Sequence, residues 1–239
     1  IEDVFKEEEL FDWESYIKKI EPLETFDYFA ELKIDGFAVT LIYENGILKK
    51  GATRGNGKVG EDVTQNLKTI ESIPLSLSLD NLPDNLKNKF KERVEIRGEV
   101  YMEKKDFERF NKDQEKKGKE TYSNPRNLAA GSIRQLDQKL AASRPLKFLA
   151  YDLVSEDFER HSEEHEIFPL LGFKTDKGRV CGSLFEVIDF WKEIGKNRES
   201  LPFQIDGVVV SVNSNKVFKK LGIAGKSPRG IRAFKFSPK

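Results

Sequence analysis

The chain has 239 residues, 38% of them apolar, with 18 Phe and a single Cys. That is enough for one large domain or two small ones with a sizeable core, and it excludes a disulfide framework and a four-cysteine zinc site. Lys plus Arg and Asp plus Glu number 41 each, so any nucleic-acid contact must come from a local basic patch rather than from global attraction. No run approaches the ~18 apolar residues of a membrane span. Residues 1–20 lack the basic start and cleavage site of a signal peptide. A soluble protein of a reducing cytosol is expected.

Ile1 is not a methionine, and residues 1–9 read like the middle of a longer chain, so a fragment is expected. Leu10, Phe11, Trp13, Ile17 and Ile20 fall at helical spacing and predict a short amphipathic helix. Thr25 to Ile34 then alternates as a half-buried strand does, with Phe26, Tyr28, Ala30, Leu32 and Ile34 on one face. Glu31, Lys33 and Asp35 project together from the other. Gly36 removes a side chain where another backbone or a ligand comes close. A lysine fixed between carboxylates on a rigid strand suits a nucleophile that must be aimed and then neutralised; a solvated strand face with paired charges is the plainer alternative.

Phe37 to Tyr43 predicts a second strand, Glu44-Asn45-Gly46 a hairpin turn, and Ile47 to Thr53 the return strand. A loop of Gly55-Asn56-Gly57-Lys58-Val59-Gly60 follows, then a helix over 61–70, then loop and turn over 75–92. Arg93 to Tyr101 alternates again, setting Val94, Ile96, Gly98 and Val100 against Arg93, Glu95, Arg97, Glu99 and Tyr101. Residues 103–117 predict a charged surface helix seated by Phe107 and Phe110. Ser123-Asn124-Pro125 caps another, in which Leu128, Ala129, Ile133 and Leu136 pack while Arg126 and Arg134 stand about two turns apart. Leu146 to Val154 is a strand. Ser183 to Glu186 is a capping box opening a helix. Phe203 to Val212 is a central strand, Asn215 to Leu221 a short helix, and Ile231 to Phe236 a last strand. Hairpins outnumber βαβ units, so the fold class is α+β.

Two patterns invite other readings. Gly55-x-Gly57-x-x-Gly60 matches the dinucleotide fingerprint, with Asp80 twenty residues beyond it. Its preceding strand, however, is the polar second arm of a hairpin, not the doubly buried first strand of a Rossmann sheet. His161 and His165 are the only histidines, four apart with Ser162-Glu163-Glu164 between them. They lack the metalloprotease pattern, and the expectation is a surface pair beside glutamates with no third ligand and no metal.

Several motifs then occur in a fixed order. Glu31-Leu32-Lys33-Ile34-Asp35-Gly36 resembles the nucleotide-attachment motif of the covalent nucleotidyltransferases, the DNA ligases, RNA ligases and mRNA capping enzymes. One branch, the bacterial NAD-dependent DNA ligases, is resembled more closely. The likeness runs through Ala52-Thr53-Arg54-Gly55-Asn56-Gly57, Gly60-Glu61-Asp62-Val63-Thr64, Arg97-Gly98-Glu99-Val100 and Asn124-Pro125-Arg126-Asn127. It continues through Ala129-Ala130-Gly131-Ser132, Arg134-Gln135-Leu136-Asp137, Arg144-Pro145-Leu146, Ile205-Asp206-Gly207-Val208-Val209 and Phe234-Lys235-Phe236.

The resemblance implies a covalent-nucleotidyltransferase fold of mainly antiparallel sheets flanked by helices. It makes residues 1–239 an adenylation domain, with 1–22 a short helical lead-in. The N-terminal subdomain that binds the nicotinamide mononucleotide half, and the C-terminal OB, zinc-finger, helix-hairpin-helix and BRCT parts, would lie outside this chain. The implied reaction is attack by Lys33 on the α-phosphate of NAD, release of nicotinamide mononucleotide, and transfer of AMP to the 5′-phosphate of a DNA nick. Magnesium would serve the reaction, and the enzyme would be a monomer acting on nicked double-stranded DNA. Lys33, Asp35, Asp206 and Lys235 are implied as catalytic. Glu31 is implied at the adenine edge, Glu99 near the ribose hydroxyls, Tyr151 stacked on the base, and Arg54, Arg198 and Lys235 at the nucleotide; Arg126 and Arg134 would contact phosphate or DNA.

On the residues alone, Glu99 reads as a surface carboxylate paired with Arg97, Tyr151 as a core aromatic, and the two arginines as exposed. An ATP-using ligase or capping enzyme, and a non-catalytic nucleotide- or DNA-binding relative, are the competing readings. There are two departures from the family. Ser211 stands where a lysine usually contacts the nucleotide, with Lys216 or Lys226 as possible substitutes, and Gly230 stands where a tryptophan is common. Periodicity puts Ile205, Gly207, Val209 and Ser211 on the pocket face, with Gly207 leaving room for the ligand and a lysine at 211 expected to speed adenylate transfer.

Overall fold

A computed structural model describes every residue except 56, 58, 89, 91, 155–157 and 238–239. The loop residues Asn56 and Lys58, and parts of the stretch 75–92, therefore lie outside the described residues. In chain order the strands are β1 (Glu2–Val4), β2 (Tyr28–Ile34), β3 (Phe37–Glu44), β4 (Ile47–Thr53), β5 (Arg93–Met102) and β6 (Leu146–Val154). They continue with β7 (Arg179–Cys181), β8 (Ile205–Val212), β9 (Ile223–Ala224), β10 (Ser227–Pro228) and β11 (Ile231–Lys235). The helices are α1 (Glu7–Ile20), α2 (Thr64–Leu67), α3 (Asp84–Lys87), α4 (Lys104–Lys116), α5 (Pro125–Ile133), α6 (Gln138–Ala142), α7 (His161–Leu171), α8 (Leu184–Asn197) and α9 (Asn215–Leu221).

These strands form a five-stranded sheet, ordered β1-β11-β8-β2-β7, a four-stranded sheet, ordered β4-β3-β5-β6, and the β9–β10 ribbon. All named pairs are antiparallel except β1 with β11. Helices cover both larger sheets, which makes the fold α+β as the hairpin-rich sequence suggests.

Each larger sheet has its own core. Leu41, Ile96, Phe148 and Phe168 belong to the cluster on the four-stranded sheet, and Leu10, Ile17, Tyr28, Val208 and Phe234 to that on the five-stranded one. A small cluster of Ile34, Tyr101 and Leu149 joins them. The chain passes from one sheet to the other at Asp35-Gly36, between β2 and β3. A Cβ on Gly36 would stand 2.5 Å from the carbonyl oxygen of Val100, so a neighbouring backbone, not a ligand, requires glycine here.

The local expectations hold with instructive exceptions. The predicted helix over 61–70 contracts to α2, because the residues before it tie down the end of β4. Thr53 donates its backbone N–H to Glu61, Gly51 donates to the Thr64 hydroxyl at 2.9 Å, and that hydroxyl donates to Asp62 at 2.6 Å. A short strand contact between Ala52 and Asp62 replaces the first helical turn. Leu136, expected to pack, is fully exposed, because α5 ends at Ile133. The Gly55 to Gly60 loop leads into no parallel crossover; β4 is an antiparallel partner of β3, which removes the dinucleotide-fold reading.

Arg144, inside one of the recognised motifs, is buried beneath α5. Its guanidinium lies over the rings of Phe110 and Tyr122, with centroid distances of 5.1 and 5.6 Å, and donates to Ser132 Oγ at 2.8 Å. One planar cation thus joins α4, α5 and the strand that follows. Arg144→Ala removes both the stacking surface and the donor, and should cost ~1–3 kcal/mol of unfolding free energy. Arg144→Lys, which cannot stack as a plane, should recover less than half of it. Urea denaturation checks this; a lysine variant as stable as the parent would reduce the role of Arg144 to charge alone.

Candidate active site

The site is built where β2 leaves the five-stranded sheet. Lys33 pairs with Gly207 and Ile34 with Ile205, so the register slips past Asp206. This bulge brings the Asp206 carboxylate to Lys33, whose Nζ lies 3.0 and 3.2 Å from its two oxygens. Lys235, at the end of β11, reaches the same carboxylate at 3.4 Å and Asp3 at 2.9 Å. Contrary to the expectation from the sequence, Gly207 does not leave room for a ligand: a Cβ there would stand 2.3 Å from the carbonyl oxygen of Phe234. Glycine at 207 lets β11 come close enough to deliver Lys235.

Asp35, at the crossover, accepts from Arg126 on α5 at 3.2 Å. Glu99 lies on β5 behind the same crossover. Burial pushes its carboxyl up to about 7, against the opposing pull of Lys33 and Arg126, with Arg54 also in its field. Glu99 is therefore not the surface partner of Arg97, which bonds Glu95 and Asp152 instead. The Tyr151 phenol on β6 is raised by burial and by the charge of Glu99. Lys33, Asp35, Arg54, Glu99, Arg126, Tyr151, Asp206 and Lys235 thus form one electrostatic neighbourhood, drawn from both sheets and α5.

Two predicted residues stand at its margin. Arg198 lies over the ring of Phe236 at 4.9 Å, beside Lys235 in sequence, and Phe236 donates its backbone N–H to Asp206. Arg134 pairs with Glu61 at 3.1 Å and covers the Phe37 ring at 5.1 Å.

Glu31 has unexpected company. His161 and His165 are not a surface pair: α7 packs them against Phe29, with ring centroids 5.4 and 4.6 Å away. They aim at Glu31, with His161 Nε2 3.7 Å and His165 Nε2 3.3 Å from its oxygens. The third group that the sequence did not reveal is Glu31 itself. Burial alone would raise the Glu31 carboxyl, but the two imidazoles hold it down to about 2. Burial likewise opposes charge on His161, yet Glu164 and Glu31 raise it to about 10. Phe29, Glu31 and Lys33 follow one another along the same face of β2, so the histidine end and the lysine end form a continuous strip.

The two departures resolve differently. The ring of Phe218 fills the space over Gly230, within 2.6 Å of where a Cβ would be. Ser211 pairs with Phe29, not with Lys33, and its buried hydroxyl has no hydrogen-bond partner. Four residues separate it from Gly207, roughly 13 Å along an extended strand. A lysine at 211 would therefore enter the histidine end of the strip, which undercuts the expectation that it would act on Lys33. Lys226 is exposed in the turn between β9 and β10, and the charge of Lys216 acts on Glu24, outside the strip.

The raised His161 has a consequence for stability. A group whose folded pKa is raised stabilises fully below its unfolded value, and that contribution is lost as pH rises through the folded one. For His161, facing Glu31, Glu164, Asp152 and His165, the window runs from about 6.5 to about 10. His161→Gln, measured by urea unfolding with a chelator present, should be most destabilising near the lower end, with the deficit shrinking towards the upper. A deficit independent of pH would show that His161 acts through packing alone.

A DNA ligase of Halothermothrix orenii is 45% identical over 237 residues, covering 98% of this chain and 34% of that protein. A DNA ligase of Bdellovibrio bacteriovorus is 43% identical over 244 residues, again covering 98% and 34%. An archaeal ATP-dependent RNA ligase superposes with a TM-score of 0.48 at 16% identity, over 91% of this chain and 44% of its own. The chain spans about a third of the length of the curated relatives it matches. Residues 1–239 match throughout the family described as the NAD-dependent DNA ligase adenylation domain, and the chain belongs to that family.

Proposed function

We propose that this chain is the adenylating part of a DNA ligase that uses NAD as the adenylate donor, with Lys33 as the nucleophile. The observation that carries the proposal is the convergence of Lys33, Asp206 and Lys235 within 3.0 to 3.4 Å at the mouth of the crossover. A free lysine titrates near ~10.4, so its ammonium must lose a proton before it can attack. Asp206 fixes the direction of Nζ and lies within proton-transfer distance of it. The neutral amine then attacks the α-phosphorus of NAD, a P–N bond forms, and the P–O bond to nicotinamide mononucleotide breaks. The product is a Lys33–AMP phosphoramidate.

Lys235 is poised to stabilise the extra negative charge on the phosphoryl oxygens as the bond order changes. Arg54, the residue after β4, adds a second cation whose charge acts on Glu99. Glu99 and Tyr151 present a carboxyl and a ring to the ribose and the base, and Glu31 an acceptor to the base edge. Magnesium takes hard oxygen ligands and keeps several waters; the carboxylates of Glu99 and Asp206 suit it, and it would neutralise phosphate charge. Arg126 and Arg134, both more than half exposed, flank the crossover and are placed to take the phosphates of nicked duplex DNA. The compartment is the cytosol.

In the full-length ligase, Lys33→Ala and Lys33→Arg should both abolish adenylate attachment from labelled NAD, because a guanidinium keeps its proton. Asp206→Asn should retain nucleotide binding while slowing single-turnover attachment by roughly two orders of magnitude or more. Peptide mapping of the labelled protein checks the site. Label that persists on either Lys33 variant, or a parent that takes adenylate from ATP in preference to NAD, would overturn the assignment.

A further inference from the structure

The Lys33 chemistry makes no use of the two histidines. His161 and His165 are one helical turn apart on α7 and present their Nε2 atoms to Glu31 on β2, a side chain from a different element. One donor atom from each of the three residues lies within 4.8 Å of the others. Every other ring nitrogen is already engaged. His161 Nδ1 lies 3.1 Å from Glu164 Oε2, and His165 Nδ1 donates to the Asp176 carbonyl at 2.8 Å. This is how metal-binding imidazoles are held: a carboxylate or a backbone carbonyl takes the Nδ1 proton, fixes the ring, and leaves the Nε2 lone pair free.

The spacing also bears on what sits between the side chains. A direct imidazolium–carboxylate bond closes to about 2.7–2.9 Å. Here the nitrogen–oxygen separations are 3.7 and 3.3 Å. Metal–ligand bonds of ~2.0–2.1 Å in a tetrahedron give edges of about 3.3 Å. His165 Nε2 is also 3.2 Å from the Tyr151 carbonyl oxygen.

We propose that Glu31, His161 and His165 form a zinc site of two imidazoles and one carboxylate. An N₂O donor set of this kind suits Zn²⁺. Binding exchanges the imidazole Nε2 protons for the metal. A second trio, Asp152, His161 and Glu164, is also close enough to hold an ion, but its carboxylates are committed. Glu164 accepts from Leu153 N–H at 3.1 Å and from Asn215 Nδ2 at 2.9 Å, and Asp152 pairs with Arg97 at 3.1 Å. Glu164 orients His161 and is not itself a ligand. The site requires nothing of the adenylation reading, although both draw on Glu31.

The sequence makes the test clean, because it has two histidines and one cysteine in all. The chain, stripped with a chelator and dialysed, is titrated with Zn²⁺ against a chromophoric indicator, and with Co²⁺ to read the intense visible bands of four-coordination. One equivalent should bind, and His161→Gln or His165→Gln should each weaken binding at least tenfold and remove the cobalt bands. Cys181→Ser and Lys33→Ala should leave both unchanged. Circular dichroism and urea unfolding of the histidine variants establish that they are folded. Failure of the folded parent to bind an equivalent of Zn²⁺, or binding that survives both histidine substitutions, overturns the site. Loss of binding in Cys181→Ser also overturns it. None of these outcomes depends on adenylate transfer, so the site and the ligase reading stand or fall separately.

Discussion

Everything at the Lys33 end depends on one slip in strand pairing. Along β8, Gly207 and Val209 share a face with Lys33 and Glu31 of β2, while Val208 and Val210 face the apolar core. Regular alternation would send Asp206 to the core side with Val208. The bulge between Lys33 and Ile34 turns it back, and its carboxylate meets an ammonium instead of a hydrocarbon. The same slip occurs where β2 must leave its sheet and start β3 in the other. Backbone irregularity is concentrated where the chain changes sheets and where a side chain must be aimed, which is a common place for a bulge.

Charge is arranged along β2 as two unlike ends. At the lysine end, Asp206 is shared between Lys33 and Lys235, and each is only partly buried. Water can reach these groups, so their pairing is exchangeable. At the histidine end, Glu31 is 5% exposed, and the cost of an unpartnered carboxylate there would be several kcal/mol. The imidazoles of α7 are what permit a charged Glu31 at that depth. The lysine end is therefore the exchangeable one, while the histidine end holds α7 to the sheet.

Most of the fold was legible in the sequence because its signals are local. The Asn45-Gly46 turn, the alternation of Arg93 to Tyr101, and the caps at Asn124 and Ser183 each specify an element through a few adjacent residues, and each is present. The exceptions have a non-local cause. Residues 61–64 carry helical periodicity but bond to β4, a competition invisible in the periodicity itself. Leu136 lies beyond the end of α5. In the site, Lys33, Asp35, Glu99, Asp206 and Lys235 come from motifs already read, but their convergence needs the strand order. His161 and His165 looked superficial because they stand among Glu159, Glu163, Glu164 and Glu166. Glu164, which bonds a backbone amide, an asparagine and a histidine, is among the more deeply buried acids. A run of acids on a helix therefore reported solvation for some members and a buried network for another.

The two positions that depart from the resembled pattern, Gly230 and Ser211, are accommodated differently. At Gly230 the space is filled locally: Phe218, from α9, lays its ring where a side chain at 230 would stand. The glycine lets that ring close the packing there. At Ser211 nothing comparable happens. Its hydroxyl is buried beside Phe29 and makes no bond, a small polar group in a place that packing alone would fill with a hydrocarbon. Phe29 in turn packs on both imidazoles. A third cation introduced at 211 would meet two that are already paired with Glu31. Position 211 and the histidines on α7 thus meet through Phe29, and the short side chain at 211 leaves that ring seated on both imidazoles.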